Sequence, residues 1–172
     1  MAVERRVAVD TSVLVNYFTN GGTTDDPSWF EHSAWVMTAA QRGQFRLVVP
    51  ALALAELAGD GTVRGAHLPP KTRHERVQNV LKWTRSAAYV LVADVDLRVA
   101  RQAVDLAIKH QLRGGDACIV ACALMARATT LYSWDGDHLK LDGAIDGLTI
   151  RQPEAQAHLQ GDLLESLGGD GE

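Results

Sequence analysis

Cysteine is scarce, cations are outnumbered and no apolar stretch is long. The only cysteines among 172 residues are Cys118 and Cys122, four apart in an apolar run, so on a helix they share a face and read as core residues. Two such residues exclude a disulfide framework and fit a reducing compartment. As zinc ligands they would need a second Cys or His pair nearby, and the surrounding sequence supplies none. His32, His67, His74, His110, His138 and His158 are scattered, with no His-x-x-x-His spacing.

No segment approaches the ~20 uncharged apolar residues of a membrane span. Residues 1–6 are charged and run directly into a strand-like segment, without the apolar stretch and small-residue cleavage site of a leader peptide. A soluble chain that stays in the cytoplasm is the expectation, with no membrane partner. Lys and Arg number 17 against 21 Asp and Glu, a formal net charge of −4. That excludes a protein coating nucleic acid through bulk positive charge, so any such contact must come from a local basic patch.

What is present is a core and a rhythm. Hydrophobic residues make up 47% of the chain, enough to bury a core at about one domain's length. Apolar runs at 7–9, 45–49, 89–93, 129–134 and 148–151 read as strands, and helical spacing recurs over 11–18, 29–40, 51–58, 71–86, 97–111 and 116–127. Residues 20–28 and 59–70 read as loops, Gly114 and Gly115 as a break before a helix, and Asp135-Gly-Asp137 as a turn. The alternation predicts an α/β fold with a mostly parallel central sheet, in one domain over 1–152. A tail follows over 153–172, where Leu159, Leu163, Leu164 and Leu167 suit a short helix before a disordered Gly-rich end.

Four acids fall at comparable places in this pattern. Asp10 ends the first strand, Asp135 lies just past a late one, Glu56 sits in the helix after the second strand, and Asp116 follows the two glycines. In an open parallel sheet the carboxyl ends of the strands face the ligand crevice, so four distant stretches converge there. Crowded carboxylates must protonate or be neutralised by a cation, and an all-oxygen set suits a hard divalent ion, Mg²⁺ or Mn²⁺. Such an ion favours phosphodiester hydrolysis.

Each acid also has a plainer explanation. Asp10 and Asp116 are favoured residues for capping the helices they precede, Glu56 can simply face solvent, and Asp135-Gly-Asp137 is ordinary turn composition. The functional reading rests on all four recurring at equivalent strand ends.

The ordered set Val-Ala-Val-Asp10-Thr-Ser-Val-Leu, Ala-Glu56-Leu, Gly-Asp116-Ala-Cys-Ile-Val-Ala-Cys-Ala and Leu-Tyr-Ser-Trp-Asp135-Gly-Asp137 resembles the PIN-domain family, above all its VapC-like toxin ribonucleases. The resemblance covers roughly residues 7 to 151. It implies a three-layer α/β/α fold and a metal-dependent endoribonuclease, the toxin of a type II toxin–antitoxin pair, commonly a homodimer, with a cognate antitoxin as partner. It further implies that Asp10, Glu56, Asp116 and Asp135 form the catalytic metal-binding quartet, that Ser12 supports it, and that Asp137 is an auxiliary acid. Asp135 is preferred to Asp137 because it follows Ser133 with the family's Ser-x-Asp spacing. The sequence departs from the pattern at His138, where a bulky apolar residue is usual, and in the length of the loops at 20–28 and 59–70.

Lys71, Arg73, Arg76, Lys82 and Arg85 lie on one predicted helix, with Arg64 upstream. They are candidates for guiding an RNA backbone toward the acidic cleft, though a solvated basic face explains them equally well. His138 is a candidate proton donor or RNA contact. Trp29, Phe30 and Met37 read as core, or as a face for an antitoxin helix if the resemblance holds. Hydrolysis by metal-activated water does not distinguish RNA from DNA, so RNA comes from the resemblance. Two rivals remain. A haloacid-dehalogenase-like phosphatase needs a second Asp two residues after its nucleophile, where this chain has Ser12; an inactive PIN-fold binding module would be expected to have lost acids, and all four are present.

Overall fold

A computed structural model describes residues 4–21, 26–64 and 69–155. The expected helix in the tail, and parts of the two long loops, lie outside the described residues.

β1 (Arg6–Val9) passes through Asp10 into α1 (Thr11–Phe18). α2 (Ser28–Gln41) follows and ends before Gly43, whose φ of 73° turns the chain toward β2. β2 (Arg46–Pro50) hands over at Pro50, which has no N–H to lose at a helix start, to α3 (Ala51–Gly59). The expected loop after it contains a short helix, α4 (Gly61–Arg64). α5 (Pro70–Ser86) starts on a proline with its φ preset for a helix. β3 (Val90–Ala93) leads to α6 (Leu97–His110), whose cap Asp96 accepts from the backbone N–H of Arg98 and Val99, both at 2.9 Å. Then come α7 (Gly114–Met125), β4 (Thr130–Tyr132), α8 (Gly136–Leu139) and β5 (Thr149–Arg151).

The strands form one five-stranded sheet in the order β3-β2-β1-β4-β5, every pair parallel. From the central β1 the chain builds outward through β2 and β3, then returns to the other side of β1 for β4 and β5. The sheet order therefore reverses between β1 and β4, the place where α/β sheets open a ligand crevice at the strands' carboxyl ends.

Side-chain alternation splits the interior in two. Val7, Val9, Leu47 and Val49 pack with Leu14, Val36, Met37 and Leu57 on one face, while Ala8, Val48, Leu131 and Ile150 pack with Val99, Ala103, Ile119 and Val120 on the other. The result is the three-layer α/β/α sandwich the sequence implies. Cys122 lies in the second core with its thiol pushed up to about 11, by burial first, and Cys118 packs against that core; both thiols are free. Among the described residues no helix is long and apolar enough to cross a membrane.

Two local readings change. Gly114 and Gly115 do not break the chain; they form the first turn of α7, whose N-cap is Arg113. Asp116 thus sits inside the first turn, so the capping explanation does not hold for it. Likewise Asp135-Gly-Asp137 is the start of α8, with Asp135 as its cap.

Candidate active site

Asp10 is buried at 5% exposure and is bonded on both oxygens. Oδ1 accepts the backbone N–H of Thr11 at 2.6 Å, which caps α1. Oδ2 accepts the hydroxyls of Ser12 at 2.7 Å and Ser133 at 2.8 Å. Capping and site-building are therefore both true of this residue. Burial pushes its carboxyl up, but the hydrogen bond and charge of His138, with the two hydroxyls, outweigh it and hold the group below the usual aspartate value.

The two serines bind Asp10 to the edge of β4. Ser12 Oγ accepts the backbone N–H of Trp134 at 3.0 Å, and Ser133 Oγ accepts that of Asp135 at 2.9 Å. Trp134 is itself fixed by a 2.9 Å bond from its Nε1 to Ser33 Oγ and by stacking on Trp29 at 4.5 Å between centroids. Met37 is buried in the same core. A cavity of about 310 Å³ opens beside Asp135, with Trp29 and Asn16 among its walls.

Asp116 faces the same edge from α7. Burial raises its carboxyl; His138 opposes this, while the charges of Asp135 and Asp10 add to the rise. Asp135 and Asp10 thus both lie within electrostatic reach of Asp116. Glu56 joins from α3, accepting the hydroxyl of Thr11, with Oε1 lying 3.1 Å from where a Cβ on Gly115 would stand. The structure thus brings Asp10, Asp116, Asp135 and Glu56, with Ser12, to one edge of the sheet at the switch point.

Asp137 points elsewhere. It pairs with Lys140 at 2.6 Å in solvent, and this partner keeps its carboxyl below the usual range. Its backbone N–H donates to Asp135 Oδ1 at 2.7 Å.

His138 is the residue whose place the sequence did not reveal. It is 1% exposed, with Nδ1 3.2 Å from Ser133 Oγ and 3.5 Å from Asp10 Oδ2. Nε2 lies 3.4 Å from the carbonyl oxygen of Asp116 and 4.0 Å from its Oδ1. Burial lowers the imidazole pKa, but Asp10 and then Asp116 outweigh it, so the net shift is upward. A ring this enclosed is no surface contact for RNA; it ties β1 to α7 beneath the acids. Its one sequence signal was the departure from the family pattern.

The basic helix α5 is less concentrated than the sequence suggests. Arg73 and Lys82 are nine residues apart, about two and a half turns, so they point to opposite sides. Arg76, Lys82 and Arg85 are exposed, and Arg73 is half-buried. The side chain of Arg64 lies outside the described ones. Among the described residues, Arg113 acts by charge on Asp116 and Asp137, and Lys140 on Asp137 and Asp135.

The donor chemistry suits a hard divalent cation: carboxylate oxygens, one of them raised in pKa by burial first and then by its acidic neighbours, at a concave and partly solvated edge. As placed, no three His, Cys, Asp or Glu side chains among the described residues close to common coordinating distance. The acids are gathered but not drawn to a point.

A family model for the PIN domain matches residues 7–144. No curated protein sequence matches the chain. Among solved structures, VapBC2 from Rickettsia felis, bound to a DNA fragment from its promoter, is similar with a TM-score of 0.58 at 14% identity, over 87% of this chain and 99% of that one. FitAcB from Neisseria gonorrhoeae gives 0.56 at 20% identity, over 86% and 97%. VapC20 from Mycobacterium tuberculosis, a toxin that cleaves the sarcin-ricin loop, gives 0.53 at 17% identity, over 76% and 91%. At these identities the likeness concerns the fold.

Proposed function

The chain belongs to the PIN-domain family, and from that membership and the acids at its switch point we propose that it is a metal-dependent endoribonuclease, the toxin of a toxin–antitoxin pair. The observation that carries this is the convergence of Asp10, Asp116, Asp135 and Glu56 from separate elements onto one edge. They would hold Mg²⁺ or Mn²⁺. When bound, such an ion polarises a phosphoryl oxygen and lowers the pKa of its water.

The chain's own residues set the conditions for this. Ser12 and Ser133 fix the Asp10 carboxylate by donating to it, which keeps it ionised and aimed. His138 spans Asp10 and Asp116 from below. Thr11 holds Glu56 toward α7. RNA as substrate, and an antitoxin as protein partner, are supported by two similar solved structures, VapC20, a sarcin-ricin loop cleaving toxin, and a toxin–antitoxin complex from Klebsiella pneumoniae. Arg113 would meet the phosphate backbone, and those of Arg73, Arg76, Lys82 and Arg85 that share one side of α5 would extend the contact. We further propose that the working form is a homodimer.

Purified chain is expected to cleave single-stranded RNA in Mg²⁺ or Mn²⁺ and to lose that activity in excess EDTA, with recovery when the cation is restored. Cleavage undiminished by EDTA would sink the metal mechanism.

The last acidic pair gives a finer test. Asp135 lies by charge beside Asp116, whereas Asp137 is engaged by Lys140 in solvent. Asp135→Asn is expected to weaken Mn²⁺ binding at least tenfold by calorimetry, about 1.4 kcal/mol, and Asp137→Asn to change it by less than about threefold. Equal losses would overturn the ranking.

A further inference from the structure

The indole of Trp134 is held from several directions. Its backbone N–H donates to Ser12 Oγ at 3.0 Å, its Nε1 donates to Ser33 Oγ at 2.9 Å, and its ring stacks on Trp29 with 6° between the planes. His32, about one turn along α2 from Trp29, lies nearly parallel to it at 6.3 Å. Trp134 and the half-buried Trp29 both line the cavity of about 310 Å³ beside Asp135. A hydrated phosphate has no use for two indoles next to the acids that would receive it. A flat aromatic group attached to that phosphate does.

The remaining walls fit such a group. Val15 adds apolar surface, while Thr11, Asn16 and Asp60 bring polar atoms. Asn16 is 2% exposed, and its Nδ2 donates to the carbonyl oxygen of Ser12 at 3.0 Å, which fixes the plane of its amide. Asp60 accepts the backbone N–H of Val63 on Oδ1 at 3.2 Å, and a carboxylate has about four lone-pair sites in all. Apolar faces with a polar edge describe a nucleobase. Single-stranded RNA is read by laying unstacked bases on aromatic side chains and hydrogen-bonding their edges. Cavities that hold small organic ligands begin at about 300 Å³, so this one takes a single base. Thr11, Ser12 and Asp135 border both the cavity and the proposed catalytic edge, which puts that base on a nucleotide beside the phosphate.

The edge chemistry also sorts the bases. A carboxylate only accepts. Adenine, cytosine and guanine each offer an exocyclic amino donor, and uracil has none.

We propose that the cavity between Trp29, Trp134 and Asp60 is a subsite for one unstacked nucleobase of the substrate strand, preferring bases with an exocyclic amino group. The subsite deepens the ribonuclease reading and takes its ligand class from it.

The test is a titration of the ¹⁵N-labelled full chain with adenosine, cytidine, guanosine or uridine, and with ribose as the baseless control. EDTA is present throughout, so neither cation nor cleavage takes part. The four tryptophans give separate indole N–H signals. Those of Trp29 and Trp134 are expected to move saturably with the three amino-bearing nucleosides, about threefold or more weakly with uridine, and not with ribose. Trp35 and Trp83 should stay still. Trp29→Leu is expected to weaken binding about fivefold or more and Trp29→Phe much less, with near-ultraviolet circular dichroism as the folding check. Asp60→Asn keeps an acceptor for Val63 and adds a donor, so it should close the gap between cytidine and uridine; it decides the matter if Trp29→Leu does not fold. Indoles indifferent to every nucleoside, or equally responsive to ribose, overturn the proposal and hand the cavity to a protein partner. So does a folded Trp29→Leu that binds like the wild type, uridine binding as tightly as the others, or a ranking that survives Asp60→Asn. RNA cleavage in Mn²⁺ keeps the failures apart. A chain that cleaves but ignores nucleosides loses the subsite and remains a nuclease, whereas one that binds them and cleaves nothing loses the nuclease reading.

Discussion

Asp10→Asn is expected to reduce RNA cleavage on the order of a thousandfold or more while leaving a folded protein. Asp10 is the carboxylate most completely enclosed by other groups of the site, with Thr11, Ser12 and Ser133 all donating to it and His138 at 3.5 Å. The amide keeps one oxygen, which can still cap α1. Its NH₂ faces two hydroxyls that had been donors, and both can turn to accept, so the fold survives at a cost of about 1 to 3 kcal/mol. The charge does not survive. Removing one anionic oxygen from a cation's shell forfeits several kcal/mol of transition-state stabilisation, and each 1.36 kcal/mol is about tenfold in rate. Near-ultraviolet circular dichroism would report the packing of Trp134 on Trp29 in the variant. A variant that is folded by this measure and retains a tenth of wild-type activity would remove Asp10 from the proposed centre.

Gly115→Val is expected to reduce cleavage about a hundredfold without touching an ionisable group. The helical position tolerates a side chain in itself, and leaving glycine in a helix costs nearly 1 kcal/mol relative to alanine. What such a side chain meets is Glu56, whose Oε1 lies 3.1 Å from the Cβ that any other residue would bring. Alanine asks the Glu56 carboxylate to give by a few tenths of an ångström. Valine's branches ask for about an ångström, and misplacement on that scale costs about a hundredfold in a positioned site. Gly115→Ala should therefore raise thermal stability slightly and lose much less activity. Valine and alanine variants of equal activity would mean that Glu56 does no work that depends on its position.

The parts of this molecule legible in its sequence are those written in local chemistry. Asp10 after an apolar strand, Pro50 between β2 and α3, and Asp96 before α6 each announce a boundary through a side chain acting on its own neighbourhood. The parallel sheet followed from alternation alone. The sequence did not show what Gly115 lies against, because its neighbour is a carboxylate on α3, whereas a Cβ on Gly114 would meet nothing within 4 Å. Composition suggested a chain break; the two glycines instead open α7. His138 was visible as a departure but not as a buried tie, since its partners lie on β1 and α7, far away along the chain. The spread of Arg73 and Lys82 to opposite sides of α5 was legible from helical phase and obscured by reading the basic residues as a cluster. On α6 periodicity marks two apolar sides, Val99, Ala103 and Leu106 against Leu97, Val104 and Ile108, but only the fold says that the second is exposed.

The reversal of strand order between β1 and β4 also governs time. Asp10 follows the first strand of the sheet, yet the neighbours that fix it, Ser133 and His138, come from β4 and beyond, as does Asp135. A nascent or truncated chain ending before β4 holds an aspartate without its setting, and none of its compact substructures contains the full set of acids. The proposed site comes into being only once β4 is in place, so a product cut short of it lacks the full set of acids through its topology, without any inhibitor.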